Sequence, residues 1–459
     1  MSPVEVKEKI RTDYTEGSII GSILRMGLPS MFGFLSQNIY SFVDTFWVSR
    51  LEQGEAGVAA ITFFATILWM FFSFNQLIGP GSVAIISRRY GEKEYDLAEK
   101  AIKETLVLKL FFGVTFGIVG VFFADKMLLL MGARETALEM GTAYGQIMFM
   151  GMGIMYATYS IYTAMRGVAN PQMAMLLMIG SNVLNLILDP ILMFGYAGLP
   201  AMGIRGAAIA SVLSYTITFA VGLYFFYGDR TNVRLHLKGK EPMAVGSMWK
   251  IVKIGIPNWL GEISFSSSRL VVTPMIAAYG TSVVAAYGVG NQVTHFGIMV
   301  LVGIGLGLSS LIGQTMGSGK IARAKQTGDQ AVLLGVGIMT AFAVVVFLFA
   351  RQVLGLFFES AETVEYGVAM LRIYALALPF LGAFLMMEEI HMGVGLNTPT
   401  MIMMILHSWL FQALPIFVFT QVVKLPVESI WWTIGGSIFV SSILFYLYYR
   451  RGRWLTVKV

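Results

Sequence analysis

Long stretches of this chain contain no Asp, Glu, Lys or Arg. They run from Ala56 to Ser87, Met140 to Met165, Gly167 to Leu188, Gly206 to Gly228, Leu270 to Gly319, Ala331 to Ala350, Ile390 to Val423 and Ser429 to Tyr449. Apolar runs of about 18 residues or more are long enough to cross the hydrocarbon core of a bilayer. Read against charge and Gly/Pro punctuation, the pattern predicts twelve spanning helices, at 20–49, 57–82, 104–124, 138–165, 172–195, 205–227, 251–278, 284–313, 331–350, 364–390, 399–423 and 429–449. The longest run has to be divided, and Tyr279-Gly280-Thr281-Ser282 is the turn that divides it. An even number of spans puts both termini on one side.

The pattern repeats. GLPSMFGFLSQNIYSFVDTFWVSRL from Gly27 matches GIPNWLGEISFSSSRLVVTPMIAAY from Gly255, a shift of 228. The shift then settles at 226, bringing Gly81 onto Gly307, Tyr90-Gly91 onto Met316-Gly317 and Gly167 onto Gly393, while Pro190 finds its counterpart in Pro415. The expected organisation is a terminal segment 1–18, a first six-helix bundle 19–228, a linker 229–250, a second bundle 251–450 and a tail 451–459. Six is even, so the bundles are parallel repeats related by an axis along the membrane normal. Such pairs enclose a substrate site between them near mid-membrane and work by rocking.

Composition supports an all-α membrane protein. Apolar residues make up 56% of the chain and charged residues only 13%, against about 25% charged in soluble domains. There is no cysteine, which excludes disulfide and thiol chemistry. The polar first eighteen residues carry no apolar core of the kind a cleaved signal peptide needs. The net charge of +6 is unevenly distributed: twenty-two Lys and Arg fall on the side of the termini and seven on the other, with Arg25, Lys109 and Arg269 inside helices. That asymmetry predicts cytoplasmic termini in a cell membrane, and removes the reason to expect a nucleic-acid partner.

Two carboxylates stand where the bilayer penalises them, at about 2.5–3.5 kcal/mol each on insertion scales. Asp44 belongs to the triplet Gln37, Tyr40, Asp44, and Asp189 to Asn182, Asn185, Asp189. Both triplets have the spacing i, i+3, i+7, which lines up one helix face. Each aspartate lies six residues before the expected outer end of its helix, at Arg50 or Gly195, or about 9 Å at 1.5 Å per residue. In the repeat, Asp44 falls on Val272 and Asp189 on Leu414, so the acids belong to the first half alone. Facing one another, they form a site for one proton, which belongs to the pair rather than to either residue. The oxygens of Asp44, Asp189 and Asn185 also suit Na⁺. The alternative is that each Asp only makes local hydrogen bonds.

Pro29 interrupts the hydrogen-bond ladder of the first helix, and a kink there is a candidate hinge. Pro257 occupies the equivalent position, so a bend common to both halves fits equally well. The second half has its own misfits in Glu262, Arg269, Arg372, Glu388, Glu389 and His391. Glu262 and Arg269 are seven residues apart and can share a face as a pair. Together with Gln37 they are the candidate lining of a substrate cavity, although pairing or snorkelling accounts for the second-half charges more simply.

GQTMGSGKI from Gly313 is not a phosphate loop, because its glycine spacing is wrong and Ile321 stands where Ser or Thr belongs. No ATP site is expected. The four histidines lack zinc-ligand spacing, and no Gly-x-Ser-x-Gly elbow occurs. An enzyme or receptor is therefore disfavoured, and no cofactor is expected.

At VDTFWVSRL, RGVANP, NLILDPILMFG, GIRGAAIAS and GNQV…GLGLSSLIGQTMGSGK, the chain resembles the multidrug and toxic compound extrusion (MATE) family over both halves, and within it looks closest to the DinF-like branch. The resemblance implies a V-shaped, twelve-helix, monomeric antiporter that expels cationic lipophilic compounds in exchange for H⁺ or Na⁺. It matches Asp44 and Asp189 to the family's acids, Tyr40 and Asn185 to their hydrogen-bonding neighbours, and Pro29 to the first-helix proline. Ser211 stands in place of a usual threonine and keeps the hydroxyl. Ser49 and Glu52 replace expected glycines after Asp44. A flippase for lipid-linked sugars or other anionic lipids, using Arg25 and Arg269, is the rival reading.

Overall fold

The computed structural model describes residues 13–457, and the side chains of residues 38–41 and 197 lie outside the described residues. Tyr40 is among these, so its expected role cannot be placed. Twelve membrane-crossing helices follow one another in the expected order: α1 (Ile19–Ser49), α2 (Gly54–Gly91), α3 (Tyr95–Leu130), α4 (Glu135–Met150 and Met152–Gly167, either side of Gly151), α5 (Pro171–Phe194), α6 (Ile204–Tyr227), α7 (Val245–Ala277), α8 (Thr281–Gly317), α9 (Ile321–Gly355), α10 (Ala361–Val394), α11 (Thr398–Val422) and α12 (Glu428–Arg450). No strand occurs among the described residues. Ten of the twelve are long and apolar enough to span by length and composition alone. The other two are α4, broken at Gly151, and α7, whose apolar face is diluted by Lys250, Lys253, Glu262, Arg269 and a run of serines.

Helix ends depart from the expected spans for local reasons. α3 has 36 residues, about 54 Å at 1.5 Å per residue, so its charged first turns stand clear of a hydrocarbon core of about 30 Å. α2 is not one smooth rod. A tight turn at Phe74–Leu77 interrupts it, and it restarts at Gly79 with Pro80 in its first turn, where a missing N–H costs nothing. Gly195 and Gly395, both at φ 77°, end α5 and α10 in the left-handed conformation, which glycine adopts without a Cβ penalty.

The linker is shorter than 229–250, because α7 already begins at Val245. The connecting chain lies along the terminal-side ends of the first half. His236 donates its backbone N–H to Glu99 Oε1 at 2.7 Å, Asn232 donates to Asn170 Oδ1 at 2.8 Å, and Ala244 donates to Glu104 Oε1 at 2.9 Å.

The halves meet by backbone against backbone on the side of the termini. A Cβ added to Gly91 would lie 2.1 Å from the Gln314 carbonyl oxygen, and one added to Gly317 would lie 2.1 Å from that of Arg88. Under the 226-residue shift these are one contact seen from either side, since 88 maps onto 314 and 91 onto 317. A reciprocal contact of this kind is the mark of a two-fold interface, here between two bundles of a single chain. Gly81 abuts the Ile251 carbonyl and Gly255 that of Leu77, each at 2.0 Å for an added Cβ. All these contacts lie in the terminal-side halves of α2, α7 and α8, and Phe74 packs on Trp259 nearby, with ring centroids 5.2 Å apart.

Candidate functional site

α1 and α5 pack against each other. Asn182 donates to Ser36 Oγ at 2.7 Å, joining the two helices one face to the other. From that point outward, α5 presents Asn185 and Asp189, and α1 presents Asp44. Asp189 is fully buried and Asp44 is 4% exposed. Each lies just inside the end of its helix, capped at Arg50 and Gly195 as the spacing required.

Two further helices complete the site. From α4, Tyr144 donates its hydroxyl to Asp44 Oδ2 at 3.4 Å and lies within electrostatic reach of both aspartates. From α6, Ser211 receives a hydrogen bond of 3.4 Å from Asn185 Nδ2, which also donates to Asp189 Oδ1 at 3.1 Å. Asn182, Asn185 and Ser211 lie together with Ser181, Ser214 and Tyr215 in a polar crevice too tight to hold a water. Gln37 is not among its lining residues and donates to the hydroxyl of Tyr159 at 2.9 Å.

Donors and acceptors do not balance. Asp44 Oδ1, Asn185 Oδ1 and Asp189 Oδ2 are buried acceptors without a hydrogen-bond donor among the described residues. A buried, unsatisfied acceptor costs about 1–3 kcal/mol, more where the group is charged. Three together, two of them on carboxylates, suit a site completed by a proton or by a small cation bound through oxygen.

The equivalent positions of the second half are built differently. Val272 is buried in an apolar cluster with Ile276 and Tyr374. Leu414 is exposed, in a helix whose neighbouring turns, Leu406–Ala413 and Val418–Val422, are wound in the wider i→i+5 pattern. The paired buried carboxylates therefore belong to the first half alone.

A single family model, described as MatE, matches the chain twice, at residues 29–191 and 257–418. This chain belongs to the MatE family. The two matches fall on the two bundles. Among relatives, it is 28% identical to the "Probable multidrug resistance protein YoeA" of Bacillus subtilis strain 168, covering 92% of each chain. It is 24% identical to the "Multidrug export protein MepA" of Staphylococcus aureus, covering 86% of each. Among solved structures it superposes with a TM-score of 0.85, at 24% identity over 97% of this chain and 98% of the other, on a structure described as the outward-facing conformation of a multidrug resistance MATE family transporter. The fold is the MatE fold of two pseudo-symmetric six-helix bundles, and the protein is a membrane transporter of a multidrug efflux family rather than an enzyme.

The MatE frame also places the second-half charges. Glu262 and Arg269 do not form an ion pair. Glu262 lies within electrostatic reach of Glu388, while Arg269 is exposed and faces His295 and Tyr374. Helical spacing fixes which face a residue shares and says nothing of what stands opposite. Glu389 is buried against Gly305 and has Arg166 of the first half within electrostatic reach. Lys109 is buried, with Arg166 within electrostatic reach. Arg372 stacks over Phe347, 5.3 Å from its centroid, and His391 Nδ1 meets the Met387 carbonyl at 2.7 Å. Pro29 lies inside α1, as Pro257 does inside α7.

Sequence reading overlooked Tyr144 and Arg166. A tyrosine in a chain holding nineteen of them carries no local signal, and Arg166 at a helix end reads as an ordinary terminal-side cation.

Proposed function

We propose that this MatE protein is a secondary antiporter that exports cationic lipophilic compounds in exchange for H⁺ or Na⁺, and that Asp44, Asp189 and Asn185 hold the coupling ion. The observation that carries this reading is the set of three buried oxygens, on Asp44, Asn185 and Asp189, that have no donor among the described residues. Tyr144 and Ser211 orient the acids and the amide. The chain needs no cofactor and no ATP, and it works as a monomer in the cell membrane with both termini in the cytoplasm. The halves pack together on that side, and in this reading the acids take up the ion from the outside. Ion binding favours release of the cationic substrate, because a ligand shifts an equilibrium only by its differential affinity for two states. Pro29 gives α1 a place to bend as the site fills.

The test is drug resistance conferred by Asp44→Asn and Asp189→Asn variants, with efflux from proteoliposomes under separately imposed proton and sodium gradients. Both variants are expected to reach the membrane at normal levels and to lose resistance. Full resistance in both refutes the assignment. A flippase for anionic lipids draws support from the buried cations Lys109 and Arg166, but Arg166 is answered by Glu389 across the halves. Lipid-translocation activity without drug efflux would favour that rival.

A further inference from the structure

On the side of the termini, where α2 and α3 of the first half meet the start of α7, a cleft of about 100 Å³ opens among Arg88, Arg89, Lys100, Lys250, Glu104 and Ser247. Its acid is already engaged. Glu104 accepts the Ala244 N–H at 2.9 Å and the Ser247 hydroxyl. Two of the four cations are answered as well. Arg88 pairs with Glu92 at 3.4 Å and donates to the Val457 carbonyl at 2.8 Å, and Arg89 pairs with Glu92 and Glu94 at 2.8 and 2.9 Å. Lys100 and Lys250 have no ion pair among the described residues. They come from opposite halves, and Lys250 immediately precedes the Ile251 carbonyl on which Gly81 rests.

One wall of the cleft is apolar, formed by Ile85, Leu97 and Ala101. Met243, Val245 and Trp249 are exposed at the start of α7, at the same level along the helix as Ser247 and Lys250 but on another face. An exposed tryptophan next to lysine at a helix end is the signature of the headgroup level of a bilayer. Basic pockets between membrane helices at that level take phosphate headgroups.

We propose that this cleft binds a phosphate-bearing anion, supplied by the headgroup of an anionic phospholipid, and that the bound group bridges Lys100 of the first half to Lys250 of the second. Free phosphate shares the same chemistry, but the exposed Trp249 beside Lys250 in sequence puts the cleft at the headgroup level of a bilayer, and its apolar wall of Ile85 and Leu97 offers lipid a surface that a free anion does not use. An anion held by both halves favours the arrangement in which they touch on this side, so the lipid composition of that leaflet would bias the conformational equilibrium.

Native mass spectrometry of the purified protein, titrated with phosphatidylglycerol or phosphatidylcholine, tests the proposal. The unmodified protein is expected to retain phosphatidylglycerol about tenfold more strongly. A Lys100→Gln/Lys250→Gln variant is expected to lose that preference, and Lys100→Arg/Lys250→Arg to keep it. Lys250 is exposed, so Lys250→Gln alone serves if the double variant fails to fold, and equal thermal midpoints certify either. A second arm follows thermal stability with inorganic phosphate in lipid-free detergent. Stabilisation by phosphate that disappears in the Gln variant, without any lipid preference, supports the anion site and assigns it to a free anion. Phosphatidylglycerol retained equally by the folded Gln variant, or no response to either anion in the unmodified protein, overturns the proposal.

Discussion

Replacing Gly81 by alanine should force the two halves apart on the side of the termini. The new Cβ would sit 2.0 Å from the Ile251 carbonyl oxygen, where ordinary contact begins at 3.4 Å. The obstruction is backbone, so no flexible side chain can swing away, and α2 and α7 must separate locally by about 1.4 Å. Overpacking of this kind costs about 1–3 kcal/mol, which is a shift of roughly 5- to 150-fold in the equilibrium between conformations. The chain has no cysteine, so pairs can be introduced for spin labelling without background. Exposed Gln172 and Lys325 report on the terminal side, and exposed Arg134 and Glu359 on the opposite side. In Gly81→Ala the first pair should move apart and the second draw together, with Gly255→Ala behaving alike because its Cβ meets the Leu77 carbonyl at the same 2.0 Å. Gly288→Ala, with nothing within 4 Å of its Cβ, is the control and should leave both distances unchanged. Unaltered distances in a normally folded Gly81→Ala protein would refute the idea that these glycine contacts hold the halves together.

Other expectations concern side chains. Tyr144→Phe removes the hydroxyl donated to Asp44 at 3.4 Å, a long bond worth about 1 kcal/mol, and should raise the coupling-ion concentration for half-maximal efflux several-fold with little change in thermal midpoint. Asn185→Ala takes away the amide donated to Asp189 at 3.1 Å and leaves a buried carboxylate with one contact fewer, so ion-driven efflux in proteoliposomes should fall further than in Tyr144→Phe. For Arg166 and Glu389, which lie within electrostatic reach of one another across the halves without an ion pair, a double-mutant cycle with Arg166→Gln and Glu389→Gln should give a coupling of about 0.5–3 kcal/mol in denaturation midpoints. Additivity of the two single changes would show that the charges do not sense one another.

Much of this architecture is legible in the chain because the bilayer imposes it. A span must be apolar for a fixed length, and an acid inside one is conspicuous, so Asp44 and Asp189 announce themselves and their i, i+3, i+7 neighbours give the face. α1 and α5 are joined by the Asn182–Ser36 hydrogen bond. What spacing cannot supply is the opposing partner. Tyr144 stands 100 residues from Asp44, and Glu262, seven residues from Arg269, in fact looks toward Glu388. The seam glycines were visible as matched positions of the repeat, but their meaning depends on a backbone approach that exists only once both bundles are packed.

That difference has a physical root in duplication. A contact between backbones needs only the absence of a side chain, so Gly91 on Gln314 and Gly317 on Arg88 persist in both halves whatever surrounds them. An ion site needs particular side chains on four helices at once, and losing any one removes the reason to keep the rest. Val272 and Leu414 occupy the places of Asp44 and Asp189, one within an apolar cluster and the other exposed. The symmetric element is thus the backbone surface on which the halves meet, and the asymmetric element is the pair of buried carboxylates in the first half. A carboxylate placed at Val272 alone would be desolvated within an apolar cluster, at a cost of several kcal/mol. The second half would gain an acid without gaining a site.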